Sequence, residues 1–508
     1  MPPRLLTTPV RLTGPLSLGQ LAVLATADAD AREGEAEWLP AVLAGDLAGQ
    51  YAAERELARE GHDRATLGRD EFVERVKAYE AECRSTAGQT FERLGLSLAL
   101  DDLDAAVVDR DEVVRAARTA FVQLFEAGLL HRRELVVDTC PRCATVVDPV
   151  DAEPAGLDGE RLVVRLETPD ALDGLEVATL APELLIGAVA VAVPPDHPAA
   201  GHDVLLPIAN RPVPVLADPL ADEPAFLVPA HDAAALDAAR RLSLFPVEVL
   251  DDLGEVSQPG PLHRLGRFAA RQAARDLLDA EGAVASTEPA PEAGSRCRRC
   301  GTVLVPRLGL HWFLDMTDLE VAAADQLREG VLDVSPPPAR DELLARAGTR
   351  ESAWCLSHQV WAGSPVPVST CRDCGQVAVA AEQPTSCGKC MGELEADDSV
   401  LDARFLGAIW PLAATGWPDS RPDPEQTGQT ALLVTPTGLI RWALPMAALG
   451  LRLAGTAPFA RVTAVEVAAD PDDPDPRVAA DLDALIDEYG AEKVRTALMH
   501  GHLDLGLG

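Results

Sequence analysis

Eight of the ten cysteines fall into four Cys-x-x-Cys pairs, a spacing that lets one tight turn present two thiolates to a single metal ion. Cys371-Arg-Asp-Cys374 and Cys387-Gly-Lys-Cys390 have twelve residues between them. That suits a two-knuckle ribbon in which four sulfurs enclose one Zn²⁺ in a structural site, chance pairing of buried cysteines being the alternative. Gly375 and Gly388 are placed to permit the turns that aim backbone N–H groups at sulfur. Cys140-Pro-Arg-Cys143 and Cys297-Arg-Arg-Cys300 lie far apart and flank a stretch of different texture. An inserted domain leaves and re-enters its host at neighbouring points, which would join these pairs as a second zinc site. Two unrelated or redox-active pairs are the competing reading. Cys83 and Cys355 stand alone. No charged leader with an apolar run opens the chain, so metal is favoured over disulfides and the cytoplasm over a secreted setting.

Charge narrows the partners. Acidic residues number 81 against 44 basic ones, only Lys77, Lys389 and Lys493 are lysines, and the net charge is -37. Nucleic-acid affinity rests on neutralising phosphates, so an RNA partner would need a local basic groove working against the whole field. A well-solvated acidic surface explains the same numbers. The longest apolar stretch, Leu184 to Val193, is too short for a membrane span.

The elements that must position these groups follow from pattern. At 508 residues the chain needs two to four domains. Leu5 to Leu12 reads as a strand, Thr13-Gly14-Pro15 as a turn, and a helix should follow. Asp111 to Leu130 carries Val114, Ala117, Phe121, Leu124 and Phe125 at helical spacing. Strand-like runs at Arg161 to Leu166, Ile186 to Val193 and Val213 to Ala217 suggest a β-rich insert. A helix is expected at Arg264 to Glu281, a flexible connection at Ala283 to Gly294, a loop at Pro418 to Gln429, and a final helix from Asp475 to Met499.

Several stretches resemble valyl-tRNA synthetase, a class I synthetase. They are Trp38-Leu39-Pro40, Gln50 to Gly61, Val177-Ala178-Thr179 with Pro182-Glu183 and Gly187, and Pro229-Ala230-His231-Asp232. Further along come Trp354-Cys355-Leu356-Ser357 with Gln359 and Trp361, and Asp398 to Asp402 with Trp410 and Gly416-Trp417-Pro418. The resemblance implies an α/β fold: a split Rossmann-type catalytic domain with an inserted β-rich editing-like domain and zinc-binding knuckles. The halves would be residues 1–152 and 401–508, the insert 153–260, and a connective, zinc-binding segment 261–400.

The resemblance also shows what has changed. The family binds ATP with a His-x-Gly-His loop, which aligns with Ser17-Leu18-Gly19-Gln20; both histidines are gone. Thr13, Gly14, Ser17, Gly19 and Gln20 are the remnant ATP loop, and neither Ser17 nor Gln20 carries charge. The family's Lys-Met-Ser-Lys-Ser loop has no counterpart: Arg461 to Pro476 holds Glu466, Asp470, Asp472, Asp473 and Asp475 but no lysine. The family aspartate that meets the substrate ammonium aligns with Leu43, with Asp46 three positions along, and a later Gly-x-Asp pattern aligns with Pro436-Thr437-Gly438. In the editing-like insert, Thr179, His231 and Asp232 remain, whereas the amino-group-binding aspartate aligns with Ala235 and Asp237 lies nearby. Retention of His231 and Asp232 for turn geometry is the favoured alternative. The chain stops before the family's anticodon-binding domain.

The expectation is a valyl-tRNA synthetase-like protein with no catalytic residues left, two zinc sites, and a protein or small-molecule partner rather than tRNA. An active valine–tRNA ligase, or an ATP-dependent enzyme activating an amino acid for a non-tRNA acceptor, is the alternative.

Overall fold

The computed structural model describes residues 2–14, 16–97, 100–168, 174–349, 353–465 and 478–499. The acidic loop residues Glu466 to Asp475 lie outside these. The chain forms two compact units: a host, Met1–His131 with Trp312–Gly508, and an insert, Arg132–His311.

The host is built on a five-stranded sheet, all parallel, ordered Asp333–Ser335, Arg461–Ala464, Thr430–Val434, Arg4–Thr7, Glu37–Leu39. Strands covered on both faces read as unbroken apolar runs, as Leu5-Leu6 and Leu432-Leu433-Val434 do, all buried. The helix Leu18–Glu33 follows the first strand and buries Leu21, Val23, Leu24, Ala25 and Ala27. Asp111–Glu126 is shorter than expected, because Leu130 already begins a strand. Its buried stripe is Val113, Ala116, Ala117, Ala120, Phe121 and Leu124. That leaves Phe125 41% exposed, one position off the 3.6-residue face.

Two other host expectations change. The last helix is two helices, Val478–Tyr489 and Ala491–Met499, broken where Gly490 takes a left-handed φ of +85°. Leu482, Val494 and Leu498 dock into a cluster with Leu21 and Phe91, while Tyr489 faces solvent; residues 475–477 are outside the described chain. The expected loop at 418–429 contains a short helix, Pro424–Gly428, capped by the Asp423 side chain.

The insert carries a seven-stranded mixed sheet ordered Asp203–Leu206, Arg211–Ala217, Ala190–Val193, Ala225–Leu227, Leu175–Thr179, Ala152–Leu166, Val284–Cys297. Its last strand corrects the flexible connection expected at 283–294. Val284–Cys297 pairs antiparallel with Ala152–Leu166 from Val284↔Val164 to Cys297↔Ala152. Pro289 and Pro291 are tolerated because this is the edge strand. Residues two apart point their backbone N–H sites the same way, so both missing donors fall on the open side. Tertiary pairing overrode a turn-like composition.

The insert is therefore wider than 153–260. The helix Arg267–Ala280 buries Ala270, Ala274 and Leu278 in the insert's own cores, and both flanking cysteine pairs lie within it. On the host side its two ends are neighbours, with the Asp315 N–H donating to the Leu129 carbonyl at 2.9 Å.

Candidate functional site

In a parallel α/β sheet, ligands bind outside the carboxyl ends of the strands where the chain reverses direction across the sheet. Here that point lies between Arg4–Thr7 and Thr430–Val434. Thr8, Pro9, Gln20, Thr435, Thr437, Gly438, Arg441 and Trp442 line a crevice there. Arg441 and Trp442 sit on a π-helical segment, Leu439–Ala443, an irregularity frequent at functional sites.

Of the loop residues 13–20, Gln20 lines this crevice, and it and Ser17 are hydrogen-bonded to each other. Ser17 caps the helix Leu18–Glu33: its Oγ accepts from the Gln20 N–H at 3.2 Å, and Gln20 Oε1 accepts from the Ser17 N–H at 2.9 Å. Gln20 Nε2 donates to the Arg11 carbonyl at 2.7 Å. Both side chains are buried. Thr13 is held through its carbonyl, which accepts from Tyr79 Oη at 2.9 Å; Gly14 lies in the same bend and Gly19 in the first helical turn. The crevice has a cavity volume of about 20 Å³, room for a single water.

Next to it lies a charge cluster that sequence reading missed. Arg11 Nε meets Asp46 Oδ2 at 2.5 Å, with both side chains under 10% exposed. Asp46 also caps Leu47–Arg59 by accepting from the Gly49 N–H at 2.8 Å. Glu80 is buried against the same turn and accepts from the Gly45 N–H at 3.1 Å. Burial first, then the Asp46 carboxylate, push the Glu80 pKa up to about 8, so it is protonated at neutral pH. Gly45, at φ +65°, packs backbone to backbone with Gly363, and a Cβ there would stand 2.7 Å from the Gly363 Cα. The signal was available only as single charged residues scattered from 11 to 80: Arg11 at a strand end, Asp46 at a helix N-cap and Glu80 inside a helix already rich in charge.

The retained stretches around 354 and 402 act as joinery. Asp402 Oδ2 accepts from Trp354 Nε1 at 2.8 Å and Arg404 Nη2 at 2.5 Å. Burial would raise the Asp402 pKa, but the Arg404 guanidinium and the His358 ring hold it well below the ordinary carboxylate range.

Both cysteine tetrads assemble. In the insert, the Sγ atoms of Cys140 and Cys300 are 3.5 Å apart and those of Cys143 and Cys300 3.7 Å. In the host, Cys371–Cys390 and Cys374–Cys390 are both 3.4 Å and Cys374–Cys387 3.7 Å. Four sulfurs bound at about 2.3 Å around a tetrahedral ion sit about 3.8 Å apart, so both sets fit one metal ion each. One turn is used four times. The residue after each second cysteine is left-handed: Ala144 (φ +53°), Gly301 (+71°), Gly375 (+68°) and Met391 (+62°). Each donates its N–H to the carbonyl of the first cysteine of its pair, at 2.7 to 3.0 Å. Gly375 thus serves as expected, but Gly388 does not; Met391 takes the left-handed position in that knuckle.

In the insert, Thr179, His231 and Asp232 all bond to the local backbone. Asp232 caps Ala233–Arg241 by accepting from the Ala235 N–H at 2.7 Å. The His231 ring is buried: Nδ1 lies 2.8 Å from the Pro306 carbonyl, and Nε2 accepts from the Val249 N–H at 3.0 Å. Burial pushes its pKa down to about 4, so the ring is neutral at pH 7. Thr179 Oγ1 accepts from the Ala181 N–H at 3.1 Å. Asp237 is exposed and pairs with Arg240. Glu183 is fully buried between Arg267 and Arg271, which also bind Glu292.

Fold and site together define an α/β protein built on a parallel sheet, interrupted by a β-rich insert and carrying two four-cysteine centres. A family model for tRNA synthetases class I (I, L, M and V) matches residues 29–502, and the chain belongs to this family. The valine–tRNA ligase of Syntrophotalea carbinolica is 32% identical over 438 residues, covering 84% of this chain and 48% of that protein. The valine–tRNA ligase of Solibacter usitatus is 30% identical over 523 residues, covering 98% and 60%. The chain spans about half the length of the curated relatives it matches. Among solved structures, the LeuRS of Agrobacterium radiobacter K84 aligns over 98% of this chain and 69% of that one, at 14% identity and a TM-score of 0.47.

Proposed function

We propose that this chain is a valyl-tRNA synthetase-like binding protein that does not activate an amino acid, is held together by two structural zinc ions, and serves a protein or small-molecule partner. The observation that carries this is the commitment of Ser17 and Gln20 to their own helix cap, beside a crevice of about 20 Å³. Activation needs cations and donors aimed at the phosphates of ATP, where charge grows in the transition state. Neither side chain supplies charge, and both bond to their own helix start, with Gln20 also donating to the Arg11 carbonyl. The Arg11–Asp46 pair, with Glu80 beside it, fills the neighbouring ground with internal partners. ATP as a ligand rests on the family alone, and the net charge of -37 argues against tRNA.

Zinc is the metal that a closed set of four thiolates suits, and it would supply folding free energy. Cys140, Cys143, Cys297 and Cys300 would hold one ion, and Cys371, Cys374, Cys387 and Cys390 the other. No helix of the described residues is long and apolar enough to cross a membrane, and the cytoplasm is the proposed setting.

The test is ATP–pyrophosphate exchange on zinc-loaded protein with valine, each other standard amino acid, and ATP alone. No exchange is expected; exchange above background overturns the reading. A second reading, an active valine–tRNA ligase or an activating enzyme with another acceptor, is favoured by Arg441, a cation lining the crevice. It requires exchange in the same assay, after which charging of tRNA separates its two forms.

A further inference from the structure

The two tetrads share a turn and differ in surroundings. Cys140, Cys143 and Cys297 are 0 to 2% exposed, and Cys300 is half-buried. In the host knuckle Cys371 and Cys387 are equally buried, yet Cys374 and Cys390 are exposed. Those two exposed sulfurs are also neighbours, 3.4 Å apart. Met391, beside them, is 75% exposed, so among the described residues no apolar cover lies over it. The opposite end is anchored, with Val368 buried in the main host core and Val377 and Val379 packed against it. The remaining cysteines, Cys83 and Cys355, are buried.

We propose that Cys374 and Cys390 are an oxidation site, through which a peroxide removes the host metal ion while the insert keeps its own. This rests on the zinc reading above. One of the two thiolates attacks a peroxide oxygen: an S–O bond forms, the O–O bond breaks, and hydroxide leaves. The second thiolate attacks that sulfur: an S–S bond forms, the S–O bond breaks, and a second hydroxide leaves. Two electrons pass from the sulfur pair to the peroxide, and solvent protons neutralise the two hydroxides. Closing 3.4 Å to a bond of about 2.05 Å needs only a small movement of two exposed side chains. The ion then retains only Cys371 and Cys387 and is released. Because the base of the knuckle is anchored in the core, the change stays at its tip. Hydrogen peroxide is uncharged, so the acidic surface does not repel it. The insert tetrad offers no such pair, since only Cys300 reaches solvent.

The experiment uses the full chain, loaded with zinc and freed of excess, with metal counted before and after graded hydrogen peroxide. Two ions at the start and release of one are expected. Trypsin cuts after Arg372 and Lys389, so peptides 373–389 and 390–404 should appear linked, and because 373–389 also holds Cys387, its fragment ions should place the link at Cys374 and leave Cys387 free. Thiol reductant with zinc should restore the second ion. Release of both ions in step, earlier loss from the insert, or no Cys374–Cys390 link overturns the proposal. A chain that takes up no zinc at all overturns the metal reading itself, and this proposal with it. The Cys390→Ser chain should lose the link; if it holds no host ion, the wild-type peptide map decides.

Discussion

The insert tetrad and the host knuckle are made of the same local piece and put to work in opposite environments. Each pair closes through a left-handed residue that donates to the first cysteine's carbonyl, whether that residue is glycine, alanine or methionine. What differs is the packing around them. The insert tetrad sits at the foot of the long strand pair Ala152–Leu166 and Val284–Cys297, whereas the host knuckle projects from three short strands, Val368–Cys371, Val377–Val379 and Leu394–Ala396. A metal ion buried among long-range partners stabilises a whole unit; one held at a projecting tip stabilises the tip.

The most severe test of that contrast is paired serine substitution. Cys143→Ser should cost the insert more than about 4 kcal/mol, with loss of hydrogen-exchange protection across residues 132–311. Cys390→Ser should cost less than about 2 kcal/mol, with lost protection confined to 368–396. Equal and global losses from both would erase the distinction.

Acid and base should also separate the two units. Folded Glu80 keeps its proton to about pH 8, while the unfolded chain releases it near 4.5. The folded host therefore binds the extra proton across that window and loses stability as pH rises from 4.5 to 8, on the order of 5 kcal/mol. Asp46, Asp109 and Arg84 are the charged groups that shape this value. Glu80→Gln should flatten the slope, read by hydrogen exchange at the Gly45 amide. His231 works the other way. The unfolded ring takes a proton near pH 6.5 but the folded one only near 4, so the insert weakens as pH falls across that window, on the order of 3 kcal/mol. Protection of the Val249 amide reports it, and a flat profile there would count against a neutral buried ring.

Glu183→Gln probes the insert's ion network. It leaves Arg267 and Arg271 facing Glu292 alone, and a loss of about 3 kcal/mol in thermal unfolding is expected. The smallest effect is conformational. Met391→Gly relieves a left-handed side chain and should raise the metal-bound knuckle's stability by up to about 1 kcal/mol, while Gly375→Ala should lower it by a similar amount.

Much of this was legible from residue order. Cysteine spacing announced the host tetrad, whose four ligands lie between 371 and 390, while the insert tetrad needed the further step that an inserted domain leaves and re-enters its host at neighbouring points. A helix at Arg264 to Glu281 and a first strand within Leu5 to Leu12 were read from the sequence and are found as Arg267–Ala280 and Arg4–Thr7, whereas the other four strands of the parallel sheet were not placed. The edge strand Val284–Cys297 was not legible, since its Ala, Glu and Pro content looks like linker until a partner strand fills its ladder. Nor was the break at Gly490, where one helical face runs through both pieces and only a backbone angle divides them.

The candidate site divides along the same line. That Ser17 and Gln20 bring no charge to the first turn of their helix is a property of the sequence. That those two side chains close on one another, that Arg11 finds Asp46 across 35 positions, and that Glu80 is left protonated beside them were decided by tertiary structure. Residue type limits what a group can do; burial and the nearest partner determine which of those things it does, and neither is carried by the order of residues in a local window.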